Sequence, residues 1–187
     1  MGYLLHRPVA ISTRNALLWG LFWLLGSAIL GWHFFVVPTS LVGYTWGSVT
    51  LLTQTIYALL MLVSLALSMV VVALMFSPKV GVGELVGRML YAHAPITLLM
   101  LPAIVGDKVA YSIFMENPFN TQLSTLYVVL MVLFVAFILV WYIYWSYIAF
   151  SRSVNRKGWR VIAVFGVAMM LSYILSKEML SWTIYYI

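Results

Sequence analysis

The chain has 187 residues, of which 65% are hydrophobic and 7% charged, with a mean hydropathy of +1.07. A soluble domain of this length needs far more charge on its surface, so the composition excludes the soluble classes and leaves a polytopic membrane protein. The net charge of +6 does not argue for nucleic acid, because the basic residues sit at the ends of apolar runs, where membrane topology accounts for them.

With no cysteine in the chain, disulfides, thiolate chemistry and cysteine-based metal sites are ruled out. Residues 1–15 (MGYLLHRPVAISTRN) are short and mixed, and Ser12 or Thr13 is a plausible N-cap for the first apolar run. That run is longer than the apolar core of a signal peptide, about 7–15 residues, so the first helix is expected to be retained.

Spanning a bilayer core of about 30 Å takes about 20 helical residues. Five segments meet that length: 16–37, 49–76, 85–105, 123–150 and 159–176. The expected fold is therefore an all-α, single-domain bundle of five transmembrane helices. The second and fourth segments are long enough to tilt or protrude. The fifth is short, and the tail beyond Lys177 and Glu178 (MLSWTIYYI) reads as an aromatic interfacial anchor. Residues 34–48 (FFVVPTSLVGYTWGS) read as an uncharged loop lying in the interface. Residues 106–122 carry Asp107, Lys108 and Glu116.

Orientation follows from the lysines and arginines. Arg7, Arg14, Lys79, Arg88, Arg152, Arg156, Lys157 and Arg160 fall on one side of such a bundle, and Lys108 and Lys177 on the other. The positive-inside rule then places the N-terminus in the cytoplasm and the C-terminus outside. Lys79, Arg152, Arg156, Lys157 and Arg160 read as topology determinants or as contacts to anionic lipid.

The segment from Ser77 to Leu101 (SPKVGVGELVGRMLYAHAPITLLML) concentrates what lipid tolerates least. Arg88 is expected to reach the headgroups and to pair with Glu84 at the i, i+4 spacing. His93 is the histidine placed deep in a span, and an intramembrane ionisable residue is a candidate proton relay, ion ligand or buried packing residue. Pro95 and Pro102 remove the helix bonds to the carbonyls of Tyr91 and Leu98, two turns apart and on nearly the same face. Arg88, Tyr91, His93, Pro95 and Pro102 thus form the candidate intramembrane site. Small residues at four-residue spacing, Ser27 with Gly31, Ser64 with Ser68 and Gly83 with Gly87, are expected at close helix contacts. The aromatic run Trp141–Tyr147 (WYIYWSY) reads as an interfacial belt.

Motifs for zinc proteases, dinucleotides, nucleotide phosphates and the serine nucleophile elbow do not occur, and the three histidines lack metal-ligand spacing. No enzyme activity, cofactor or metal is therefore expected.

Two stretches, GELVGRMLYAHAPITLLML and RPVAISTRNALLWG, together with the basic turn after the fourth segment, resemble the Yip1-domain family of integral membrane proteins in its compact bacterial form. The likeness covers nearly the whole chain in layout. It departs at His93, where a small or hydroxyl residue is expected. The resemblance implies a bundle of five spans in a bacterial cytoplasmic membrane and a non-enzymatic scaffold, assembly or membrane-organising role through helix contacts. Its partners would be the lipid bilayer and copies of itself or other membrane proteins. Eukaryotic members bind small GTPases with a long cytosolic region, for which the first 15 residues are no equivalent. The alternative function is a small oligomeric transporter or channel with its path beside the kinked third helix.

Overall fold

A computed structural model describes residues 12–47, 49–100 and 121–186. Apart from turns, the described residues are helical except for one small hairpin: α1 (Thr13–His33), β1 (Val36–Ser40), β2 (Gly43–Trp46), α2 (Leu51–Phe76), α3 (Val82–Ala92), a 3-10 helix (Ala94–Leu99), α4 (Thr121–Ser153) and α5 (Trp159–Tyr186). Among the described residues, α1, α2, α4 and α5 are long and apolar enough to cross a membrane. Local signals explain several ends. Ser12 Oγ accepts the Asn15 N–H at the start of α1, and Thr50 Oγ1 does the same for Thr53 at the start of α2. The turn from α4 to α5 is closed by Gly158 at φ +104° and by Asn155 at φ +51°, while Ser151 Oγ donates to the Arg156 carbonyl.

Three expected boundaries are corrected. The first helix stops at His33 rather than at 37, because the chain turns through Phe35 at φ +56° into β1. The third is α-helical only to Ala92 and continues as a 3-10 helix to Leu99, instead of running as one helix over 85–105. The fifth does not end at 176, since α5 continues as helix through Lys177 and Glu178 to Tyr186, so its tail is not a separate anchor.

The loop expected to lie flat in the interface is the hairpin. β1 and β2 pair antiparallel, Val36 with Trp46 and Val37 with Thr45, with a bulge between Pro38 and Ser40. Val36, Val37, Pro38, Ser40 and Leu41 are buried, and β1 packs against α1, α2 and α5. Two side chains tie it down. Gln54 Nε2 of α2 donates to the Val36 carbonyl at 2.9 Å, and Ser176 Oγ of α5 accepts the Leu41 N–H at 2.9 Å.

Helix directions alternate. α1 and α3 run side by side in parallel, with Gly87 against Thr13 and Leu17 and Gly20 against Leu90. α4 runs against them, placing Trp145 on Tyr91 and Tyr142 on His93. The most extensive helix pairing is α2 with α5, also antiparallel, where Ser64 Oγ reaches Met179 Sδ at 3.2 Å. Small residues permit these approaches as expected, except that Gly83 is exposed and meets nothing. The largest buried cluster sits where α2, α3, α4 and α5 converge, around Met69, Leu85, Trp145, Phe150 and Phe165.

Five basic residues of the α2–α3 and α4–α5 turns gather at one end. The Arg156 guanidinium lies 4.9 Å from the centre of the Phe76 ring, which brings the α4–α5 turn against the end of α2. Val80 and Val154 from the two turns share the main cluster. Lys79, Arg152, Arg156, Lys157 and Arg160 are all exposed there.

Candidate functional site

The break in the third element has a local cause. Pro95 has no N–H and cannot extend the α-helical ladder, so the helix closes on His93, whose N–H bonds to the Met89 and Leu90 carbonyls at 3.0 and 3.3 Å. The chain then tightens into the 3-10 helix, with the Ile96 N–H on the His93 carbonyl at 3.0 Å and Thr97 Oγ1 donating to Ala94. His93 is thereby held at the junction, 92% buried. Its ring meets Tyr142 of α4 edge-on at 5.5 Å, and Tyr91 stacks on Trp145 at 5.4 Å.

The sequence-predicted residues divide into two groups. Tyr91, His93 and Pro95 come together in the bundle interior. Arg88 stands at the basic end, its side chain largely covered and paired with Glu84 as the i, i+4 spacing predicts. Pro102 lies outside the described residues.

His93 borders a partly open chamber that also draws on Ser27 of α1, Pro38 and Tyr44 of the hairpin, Gln54 of α2 and Thr97 of the 3-10 helix. Its water-accessible volume is about 20 Å³, enough for one water-sized group. No charged side chain lines it. Two polar atoms of its lining residues, His93 Nδ1 and Gln54 Oε1, are buried without a hydrogen-bond partner among the described residues. Because Gln54 Nε2 is committed to Val36, the amide is oriented and Oε1 is left as an acceptor.

Two non-helical segments, the hairpin and the 3-10 helix, thus converge on one chamber whose mostly apolar lining includes a few polar side chains. Both segments are covered by protein and border this cavity, which is how irregular backbone is accommodated in an apolar interior.

Beside the chamber, and sharing Trp23 and Ala94 with it, lies an aromatic groove of about 240 Å³ bordered by Trp19, Tyr91, Pro95, Trp141 and Trp145. This corrects the belt expected for residues 141–147. Tyr142, Trp145 and Ser146 are buried core, whereas Tyr144 faces outward. Tyr142 and Ser146, one turn apart on α4, place two further hydroxyls in the same interior layer.

Sequence reasoning missed Gln54 and Tyr142. A lone amide in the second turn of an apolar run was the available signal for Gln54. Tyr142 was hidden inside an aromatic run whose members look alike. No group of His, Asp and Glu among the described residues is placed to hold a metal ion.

Comparison with protein-family models, with curated proteins and with solved structures finds no match.

Proposed function

We propose that the chain is a five-span, non-enzymatic integral membrane protein of the Yip1-like type, acting as a scaffold or assembly factor through helix contacts in a bacterial cytoplasmic membrane. Five crossings are supported by the alternating helix directions. The α3 and 3-10 segments together give about 28 Å of rise, close to the bilayer core. The gathering of Lys79 and Arg152–Arg160 at the end where α1 starts supports a cytoplasmic N-terminus.

The observation that carries the scaffold reading is the attachment of α4. None of its residues from 125 to 137 is buried, whereas Ile138, Tyr142, Trp145 and Ala149 beyond them are buried. One half of the helix is built into the bundle, and the other is mostly exposed, touching it through partly buried residues such as Val135 beside Ile96 and Leu99. A shallow, open depression runs along this outer half beside Val42, Tyr44 and Leu99. A second transmembrane helix packed there would gain van der Waals contact and fill a gap that flexible lipid chains fill poorly.

Because the chain has no cysteine, the test is direct. Single cysteines at Val128, Val132 and Val135 are expected to form crosslinks in native membranes, to a second copy or to a fixed partner. A cysteine at Phe22 on the exposed face of α1 should not. A solitary monomer with no adduct at any α4 position overturns the reading.

A second reading, a solute path beside the third element, is favoured by the convergence of the hairpin and the 3-10 helix, two irregular segments, on one chamber bordered by His93 and Gln54. Reconstituted liposomes with ion- or pH-sensitive dyes test it. Flux that His93→Ala abolishes supports the path, and flux indifferent to that change, or none under any gradient, removes it.

A further inference from the structure

We propose that the basic end of the bundle is a docking site for the headgroup of an anionic phospholipid that carries two phosphates. Lys79 of the α2–α3 turn forms it together with Arg152, Arg156, Lys157 and Arg160 around the α4–α5 turn. Neither the scaffold nor the transport reading is needed for it. Three observations carry it.

The first is unanswered charge. All five basic residues are exposed, and none of them makes an ion pair among the described residues. Of the chain's acids, Glu84 is already engaged by Arg88. Glu178 stands about 27 Å of helical rise along α5 from Arg160. Asp107 and Glu116 lie outside the described residues. Like charges gathered in this way repel one another, and a dense anion relieves that repulsion.

The second observation is depth. The five residues flank the ends of three helices that are long and apolar enough to cross a membrane, α2 ending at Phe76, α4 ending at Ser153 and α5 starting at Trp159. That is the level of the lipid headgroups, where an anionic leaflet attracts each nearby lysine and arginine. Trp159, inside the cluster, is 74% exposed, as suits an indole resting at the membrane interface. An acidic protein would answer the charge but gives no reason for that bare indole.

The third is that the cations are held in place. The Arg156 guanidinium lies 4.9 Å from the centre of the Phe76 ring, and that of Arg160 lies 5.7 Å from the Trp159 ring. A guanidinium stacked by its face presents its N–H edge, which matches phosphate oxygens two at a time. The turn beneath is fixed by Ser151, whose Oγ donates to the Arg156 carbonyl at 2.8 Å and whose carbonyl accepts the Arg156 N–H at 3.3 Å. Stacking on Phe76 also brings Arg156 to the turn that carries Lys79, and Val80 and Val154 lock the two turns into one cluster. Five cations on two joined turns exceed what a single phosphate offsets. A headgroup with two phosphates on a short linker engages both turns.

The experiment uses the full chain purified in a neutral detergent, with lipid adducts counted by native mass spectrometry, so orientation in a membrane does not enter the result. Cardiolipin, with two phosphates, is expected to saturate as a single adduct about tenfold tighter than phosphatidylglycerol, with one, through the second set of phosphate contacts. Phosphatidylcholine should give no adduct at the same concentrations. Lys79→Gln and Lys157→Gln, one from each turn, should each weaken cardiolipin about fivefold, as removal of one basic residue facing an anionic surface does. Both lysines are exposed, so unfolding midpoints in lipid-free detergent should match the native chain. Lys177→Gln, on the exposed far part of α5, should leave affinity unchanged. Cardiolipin bound no more tightly than phosphatidylglycerol overturns the proposal, and so does a loss in Lys177→Gln equal to that in Lys79→Gln. Weakening by Lys157→Gln with Lys79→Gln at native affinity overturns the shared site. No lipid adduct at all overturns it in favour of an acidic protein partner.

Discussion

Gly31 is the position where the hairpin depends most on a missing side chain. A Cβ there would run into Gln54 Nε2 and meet the Val36 carbonyl oxygen at 2.7 Å, and the second is backbone that cannot rotate away. Gly31→Ala is expected to lower stability by about 1–3 kcal/mol in detergent unfolding, as overpacked sites do. Gly26, on the same helix, has nothing within 4 Å of its Cβ position, so Gly26→Ala should be neutral or gain up to about 1 kcal/mol from helix propensity. Equal losses for the two substitutions would refute the clamp. At this scale the sequence was partly legible. The Ser27–Gly31 spacing marked close approach, and the Glu84–Arg88 spacing marked the ion pair. The partner of Gly31 was not legible, because Gln54 lies 23 residues away and no local pattern ties the two together.

Among the elements, the hairpin and the 3-10 helix are where local rules gave way to tertiary context. Residues 36–46 contain Pro38 and lack clean alternation, which argues against a strand. They pair nonetheless, because helices on three sides bury β1, and Ser176 and Gln54 fasten it. Ser176→Ala leaves the buried Leu41 N–H without its acceptor. The expected loss is about 1–3 kcal/mol, with faster amide exchange over residues 36–46 and little change in α2. Protection unchanged at Leu41 would show that the serine is dispensable. In the third element, Pro95 announced a break, and the break is there. Its form, a tightened helix instead of a simple bend, depends on burial of Ala94–Thr97 that no sequence window reveals.

At the scale of the molecule, the membrane class and the four long apolar helices were legible from composition and run length alone, because bilayer thickness fixes both. Helix neighbours were not, since apolar runs look alike on every face. The basic end yields a prediction of its own. Replacing Arg152, Arg156, Lys157 and Arg160 together with glutamine should weaken the orientation bias, giving a mixed population when tags at the two termini are probed from each side of the membrane. Arg156→Gln alone should instead act through lost stacking on Phe76, a change of about 0.5–1 kcal/mol, without altering orientation. A uniform orientation in the fourfold variant would shift the determinant elsewhere.

The pairing of α2 with α5 also imposes an order in time. During synthesis α2 emerges long before its principal neighbour, so its buried serines, Ser64 and Ser68, must wait beside lipid or insertion machinery until Ala168, Ser172 and Ser176 arrive. A chain cut before Trp159 would retain its apolar runs yet leave that seam open, and it should be cleared by proteases faster than the full chain. The hairpin, which needs Ser176 for one of its two fastenings, cannot be fully secured until nearly the last helix has entered the membrane.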